Sequence, residues 1–504
     1  MNTFKRKALF ASVVAGLGAA AGTAEAVYMS PNRTGQVLVY PYYTVQSTGS
    51  NAWNTYISVV NTTTTGKAVK VRILEGKTSA EVLDFNLFLS PHDVWTARVS
   101  QTADAADGGG AAVFTTDKSC TSPTIDPSGV PFVTAGFDGT GADPDTGVTI
   151  PADGGPTDVT RTREGYLELI TMGDIPAGSP LAGDITHSLN GQPDGGTPPD
   201  CSQGTLDSDA PVSVVAPTSG GLFGSGAIVN VGEGTFFSYN ADAIDGFTEI
   251  ALYHGTESLQ PSLQDANNPS LVATGIARAF VFINGQLLTA DYAFGVDAVS
   301  AVLMSDTIYN EFFVNPDFGA NTDWVVTFPT KRFYVDDNLY SRAPADPFVE
   351  AFHPPGESNV TVGINLFDRE EGHTTRTGGF SPPVGTRPSS LPYEVNVISF
   401  LTDTAAGDPS GVFGSLLRPN VPPYGTDGWM ALDLATGDGG HFLPGGVEAD
   451  GVTAVTMNGL PTTGFMAYNV VNTNAQPGLL ANYGGLFRHR ASRSCTNGGT
   501  APCS

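Results

Sequence analysis

Three aspartates in one glycine-punctuated run have the spacing best suited to chemistry in this chain: Asp138-Gly139-Thr140-Gly141-Ala142-Asp143-Pro144-Asp145-Thr146-Gly147. A hard cation takes several carboxylate and carbonyl oxygens from a loop of this kind. Asp138, Asp143 and Asp145 are therefore the candidate metal ligands, and calcium the candidate cofactor. The run lacks the fixed pattern and closing glutamate of an EF-hand, and a solvated acidic loop is the commoner meaning of such composition. Asp336-Asp337-Asn338 and the pair Asp433 and Asp438 are weaker candidates.

Other catalytic patterns are incomplete. Neither Gly224-Ser225-Gly226 nor Gly414-Ser415 completes a G-x-S-x-G nucleophile elbow. The histidines (92, 187, 254, 353, 373, 441 and 489) stand singly, with no H-E-x-x-H. Glycoside hydrolysis needs two carboxylates facing across a cleft, and acids are too plentiful here for any pair to stand out. Trp53, Trp95, Trp324 and Trp429 have rings that stack on sugars, although the commoner place of such residues in a β-protein is the core. Lys331 and Arg332 are notable in so acidic a chain; pairing with Asp336 or Asp337 is the simpler reading. Arg488, Arg490 and Arg493 cluster near the C-terminus, where they either contact an acidic surface of a partner or neutralise local acid.

The four cysteines are read through the compartment. Lys5-Arg6-Lys7, an apolar run from Ala8 to Ala21, and small residues at Ala24 and Ala26 form an export leader, residues 1-26, with cleavage before Val27. The apolar run is too short to span a bilayer, so no transmembrane segment is expected after cleavage. Exported cysteines pair. Of the three connectivities, Cys120 with Cys201 and Cys495 with Cys503 is favoured, because each bridge then staples a loop-rich segment. The formal net charge of −27 excludes nucleic acid and anionic membrane as partners, since both require Lys and Arg against phosphate. With 61 glycines and only 14% charged residues, the chain suits an extracellular β-protein.

Regular strands must position whatever these residues do. Thr55 to Val60 and Val69 to Ile73 read as a hairpin across Asn61 to Gly66, the second strand with one buried and one wet face. Leu83 to Leu89 and Trp95 to Val99 follow in the same alternation. Residues 101-217 read as long Gly/Asp-rich insertions, interrupted by a strand at Gly165 to Thr171. Gly226 to Val231 and Gly234 to Tyr239 form a second hairpin about Gly232-Glu233. Val296 to Met304 predicts a helix, and Ser305 predicts the cap of a second helix over Asp306 to Phe313. Strands are expected at 322-329, 360-367, 393-401, 429-434 and 465-471, with a boundary near Pro344 to Pro347.

Gly165-Tyr166-Leu167-Glu168-Leu169, Ser238-Tyr239-Asn240-Ala241-Asp242-Ala243 and Asp323-Trp324-Val325-Val326-Thr327-Phe328-Pro329-Thr330-Lys331-Arg332-Phe333 resemble segments of an uncharacterised group of exported proteobacterial proteins. That resemblance implies a secreted or cell-surface location and no activity. The expected fold is mainly β: antiparallel immunoglobulin-like sandwiches with long Gly/Asp-rich insertions and two short helices. A first domain would cover 27-345, and 346-504 would be a second β-rich segment or complete the same sandwich. The expected function is a non-enzymatic adhesive, matrix or envelope-assembly role, with self-association or surface glycan as partner. The alternatives are a secreted hydrolase acting on polysaccharide or another polymer, and a calcium-dependent sugar-binding module.

Overall fold

The computed structural model describes residues 26–503 except 49–50, 103–108, 189–195, 218–219, 269, 271–274, 377–389, 402–406, 438, 473–474 and 499–500. Residues 1–25 of the expected leader lie outside the described residues. The fold is mainly β, with several antiparallel sheets and a few short helices. Among the described residues no helix is long and apolar enough to cross a membrane.

The first strands are β1 (Val27–Met29), β2 (Val37–Thr44), β3 (Asn54–Asn61), β4 (Gly66–Glu75), β5 (Glu81–Leu89) and β6 (Val94–Gln101). The expected hairpin between β3 and β4 does not form. Instead β3 pairs with β6 (Ile57 opposite Ala97), and β4 pairs with β5 (Val71 opposite Phe85), in two different sheets. The turn after Asn61 is an arch that carries the chain from one sheet to the other. Ile57 and Val59 then face Val69, Val71 and Ile73 across a single apolar layer, where the Phe85 and Trp95 rings lie 5.7 Å apart. Asn61 rivets the arch: its Nδ2 donates to the carbonyls of Thr65 (2.8 Å) and Ser90 (2.9 Å), and its Oδ1 accepts from Thr63 N (3.0 Å).

β7 (Glu164–Ile175) is not a strand within an insertion. It is buried along its whole length and lies between β4 and β2, fourth in the order of a 13-stranded sheet. A Cβ on Gly165 would sit 1.9 Å from the Leu74 carbonyl oxygen, so only glycine lets the two strands approach there. The following stretch, read from sequence as loop, holds helices α1 (Pro180–Ile185) and α2 (Gln203–Ser213). Ser179 caps α1 with Pro180 in its first turn, a start signal masked by the surrounding Gly and Asp. Leu181 and Leu206 from these helices pack on Phe88 and Met172 of the sheet's outer face. The Cys120–Cys201 disulfide (Cα–Cα 5.1 Å) ties the same layer down.

β8 (Leu222–Asn230) and β9 (Thr235–Asn240) form the second hairpin, but through the four residues 231–234 and not a two-residue turn. Gly234 takes the positive φ (65°) that closes it. β10 (Asp242–Asp245), β11 (Ala277–Ile283) and β12 (Gln286–Tyr292) extend the large sheet. There β1 pairs antiparallel with β10 and parallel with β11, joining the sheet's two halves. Helix α3 (Gly295–Leu303) forms as expected and is buried on all sides.

The second expected helix is instead a strand, β13 (Thr307–Phe313). Ile308, Asn310 and Phe312 are buried while Thr307, Tyr309 and Glu311 point away. That period-2 pattern and the β-branched and aromatic content override the cap-like Ser305 and Asp306. Ser305 pairs with Leu460 in a short ladder.

The remaining elements used below are β14 (Ala320–Thr327), α4 (Arg332–Val335), β15 (Gly363–Asp368), β16 (Val395–Ser399), β17 (Asp427–Asp433), β18 (Thr463–Val470), β19 (Tyr483–Arg488) and β20 (Arg490–Ser492). β13 pairs with β17 and β20, and β14 with β16 and β18, so strands after residue 346 complete sheets begun before it. An aromatic cluster of Tyr42, Trp53, Phe237, Phe413 and Phe465 joins early and late parts of the chain, with ring centroids 5.4–6.5 Å apart.

Candidate functional site

The Lys70 and Arg72 face of β4 is expected from the sequence to be wet; instead it forms, with β5 and β7, a buried and charged face. Arg72 on β4 stands in register with Asp84 on β5 and Glu168 on β7. Its Nε donates to Glu81 Oε2 (2.8 Å) and its Nη1 to Glu168 Oε2 (2.7 Å). Beside it, Lys70 is ion-paired with Asp84 and donates to the Ser258 carbonyl (2.6 Å). Charged strands are buried here because the chain lays loops over them. Val133 N donates to Val82 O (2.9 Å), and Gly136 comes so close that a Cβ would lie 2.6 Å from Glu81 O.

Between that cover, the 259–264 segment and the stretch around α4 lies a cavity of about 400 Å³. Its sheet wall is Arg72, Glu81, Asp84 and Glu168, and Tyr166, Tyr340 and Arg332 also line it. A smaller space of about 240 Å³ adjoins it past Ile150 and Leu339. Burial and then the Glu81 charge push Asp84 up to about 7. Burial likewise raises Glu168 to about 7, against the pull of Arg72. Two carboxyls on one sheet face thus change charge near neutrality, a property typical of binding and catalytic clefts. Arg161 anchors the cover from beneath: Nε donates to Glu75 Oε2 (2.8 Å), Nη2 to Glu75 Oε1 (2.9 Å) and Nη1 to Asp153 Oδ1 (2.9 Å). Burial opposes the Glu75 charge, yet Arg161 and the Lys77 and Thr78 amides hold its carboxyl below the usual range.

A second face has the reverse character. On the outward side of β15–β17–β13, Trp429 is 40% exposed and stacks on Phe367 (centroids 4.2 Å, planes within 10°), with Tyr309 6.4 Å away. Glu311 and Arg490 face each other at 3.8 Å beside the rings, and Arg369 approaches Asp427 at 3.7 Å at the far end. Trp53, Trp95 and Trp324 are core residues, but Trp429 departs from the expected core role.

The three candidate calcium ligands serve separate turns. Asp138 accepts from the Thr134 and Thr140 hydroxyls (both 2.6 Å), Asp143 from the amides of Asp145 (2.8 Å) and Thr146 (3.3 Å), and Asp145 from the Ser258 hydroxyl (2.9 Å). Among the described residues no three His, Cys, Asp or Glu side chains gather as a metal site. The second disulfide joins Cys495 and Cys503 (Cα–Cα 5.5 Å). Arg332 pairs with Asp336 (3.2 Å) as expected. Lys331 does not; buried, it donates to the carbonyls of Ser358 (2.6 Å), Tyr393 (3.2 Å) and Pro392 (3.3 Å). Arg488 pairs with Asp242, and Arg493 donates to Val302 O (2.9 Å), so this part of the arginine cluster is engaged within the chain.

Sequence reasoning missed Arg72, Glu81, Asp84 and Glu168. One signal was present: Lys67, Lys70 and Arg72 fall on one strand, in a chain with only 23 basic residues, between two strands carrying acids. No protein-family model, no curated protein and no solved structure matches this chain.

Proposed function

We propose that this chain is an exported, non-enzymatic extracellular or cell-surface protein that adheres to glycan through the β15–β17–β13 face. The observation that carries this reading is Trp429, a ring left two-fifths exposed and stacked face to face on Phe367. Large aromatics are the residues a β-protein gains most by burying, and an aromatic ledge on an outward face offers the flat apolar surface that a pyranose ring covers. The flanking Glu311, Arg490, Arg369 and Asp427 supply acceptors and donors for its hydroxyls. The cleft carboxylates favour binding over hydrolysis. They project from one sheet face and are tied to Arg72 and Lys70, whereas glycoside cleavage needs two carboxyls flanking the scissile bond. The test is affinity electrophoresis through soluble polysaccharides and pull-down on cellulose and chitin, comparing wild type with Trp429→Ala. Retardation that disappears in the variant is expected; wild type unretarded by every polymer overturns the reading.

A further inference from the structure

We propose that the cavity above β5–β4–β7 is a binding site for an organic cation, an ammonium or guanidinium group, held by Glu81, Asp84 and Gln260. Two buried atoms lining it have no hydrogen-bond partner among the described residues, Glu81 Oε1 and Gln260 Oε1, and both are acceptors. Glu81 is nine-tenths buried, with 10% of its side chain exposed, so an unsatisfied carboxylate oxygen there is costly unless something supplies a donor. Arg72 satisfies only its other oxygen. Gln260 is the independent observation: it comes from the opposite wall and belongs to no ion pair. A group with donors only fills both positions, and the cavity of about 400 Å³ accommodates a small polyamine or an arginine-sized molecule.

The charges around the site set how such a ligand responds to pH. Asp84 is faced by Lys70 and Arg72 from β4 and by Glu81 from its own strand, with Glu168 on the far side of Arg72 on β7. Asp143, Arg332 and the Tyr166 and Tyr340 phenols line the cavity, Asp336 holds Arg332, and Asp265 and His254 stand behind the 259–264 wall. With all carboxyls ionised, acid exceeds base around the cavity. The Asp84 and Glu81 carboxyls lie within hydrogen-bond reach of each other, so a proton taken up by Asp84 can be shared with Glu81 in place of an outside donor. Proton and cation therefore compete for one place. Below about pH 7 the proton holds it, and above that the organic cation does.

Isothermal titration with agmatine and with spermidine, at pH 6 and pH 8, tests this on the mature oxidised protein. Saturable binding of at least one is expected, at least about tenfold tighter at pH 8, because Asp84 and Glu168 both gain charge near 7 beside the site. Asp84→Asn fixes the neutral form, lowering affinity at pH 8 and reducing the pH dependence to the part that Glu168 supplies. Gln260→Ala, which breaks no ion pair, weakens binding and keeps the pH dependence. Absence of saturable binding by either cation, or binding indifferent to pH and to both substitutions, overturns the proposal. Failure of glycan retention leaves it untouched, because Trp429 is not part of the cavity.

Discussion

Two sheet faces in this molecule have exchanged the roles their residues would suggest. The β5–β4–β7 face carries Lys70, Arg72, Asp84 and Glu168 and is covered; the β15–β17–β13 face carries Trp429, Phe367 and Tyr309 and, among the described residues, leaves Trp429 40% exposed. Composition does not decide which face meets water. What decides is whether the chain has loops and helices to lay over it. The charged face lies under the 133–154 segment, the 253–264 segment and helices α1 and α2, and its charges are matched in register so that each has a partner. Burying such pairs contributes little net stability, but losing one partner leaves an uncompensated charge.

The largest expected effect therefore falls on the cover. Arg161→Ala removes the cation between Glu75 and Asp153, with a side chain only 3% exposed. A loss of about 3–5 kcal/mol in denaturant unfolding is expected. A loss below ~1 kcal/mol would mean that the charged face does not depend on its roof. Next comes the Cys120–Cys201 bridge, which closes an 81-residue separation and fastens the α1–α2 layer. Replacing both cysteines by alanine is expected to cost about 2–4 kcal/mol, read in the same assay under oxidising conditions.

How far this contrast is legible in the sequence follows from what alternation encodes. Period-2 patterns placed β3 to β6 and β14 to β18 closely, because burial on one side writes itself into every second residue. Alternation does not name the neighbouring strand. Val69, Val71 and Ile73 read identically whether β3 lies beside them or across the core from them, and only the arch at Asn61 decides. Nor does it say what roofs the other face, so Lys70 and Arg72 read as wet. The misread of Thr307–Phe313 has a local cause. Ser305 followed by Asp306 imitates a helix start, and the pairing that makes a strand comes from residues more than a hundred positions later. The open aromatic face was equally hidden, since Trp429 sits in a strand pattern like that of Trp324, and only the absence of a covering layer among the described residues separates them.

Acid separates the charged face from the core behind β13, because Asp84 and His489 respond with opposite sign. In the unfolded chain Asp84 titrates near its ordinary value, well below the folded value of about 7. The folded state thus takes up a proton first, and the charged face gains stability as pH falls through 7. At the junction of β19 and β20, burial and then the Arg488 charge push His489 down to about 4, despite its hydrogen bond to Val325 O (3.0 Å). Its contribution is present above the unfolded value near 6.5 and is lost as pH falls from there to about 4. The difference between wild type and His489→Gln should therefore shrink over that interval by about 2 kcal/mol, while the difference between wild type and Asp84→Asn moves the other way. Parallel pH profiles for the two variants would show that neither environment is as buried as the fold places it.

The smallest effect on stability belongs to the open face. Trp429→Ala removes a cross-strand stack on Phe367, worth about 1 kcal/mol, and leaves no cavity because one side of the ring already meets solvent. A protein that tolerates the loss of its most exposed tryptophan at so little cost did not need that ring for folding. If Trp429→Ala instead destabilised as severely as Arg161→Ala, the ring would be acting as core, and the aromatic ledge would have no claim to be a glycan surface. A small stability change together with lost retention on polysaccharide is the one pairing of outcomes in which the exposed aromatics and the roofed charges each have the role their surroundings assign them.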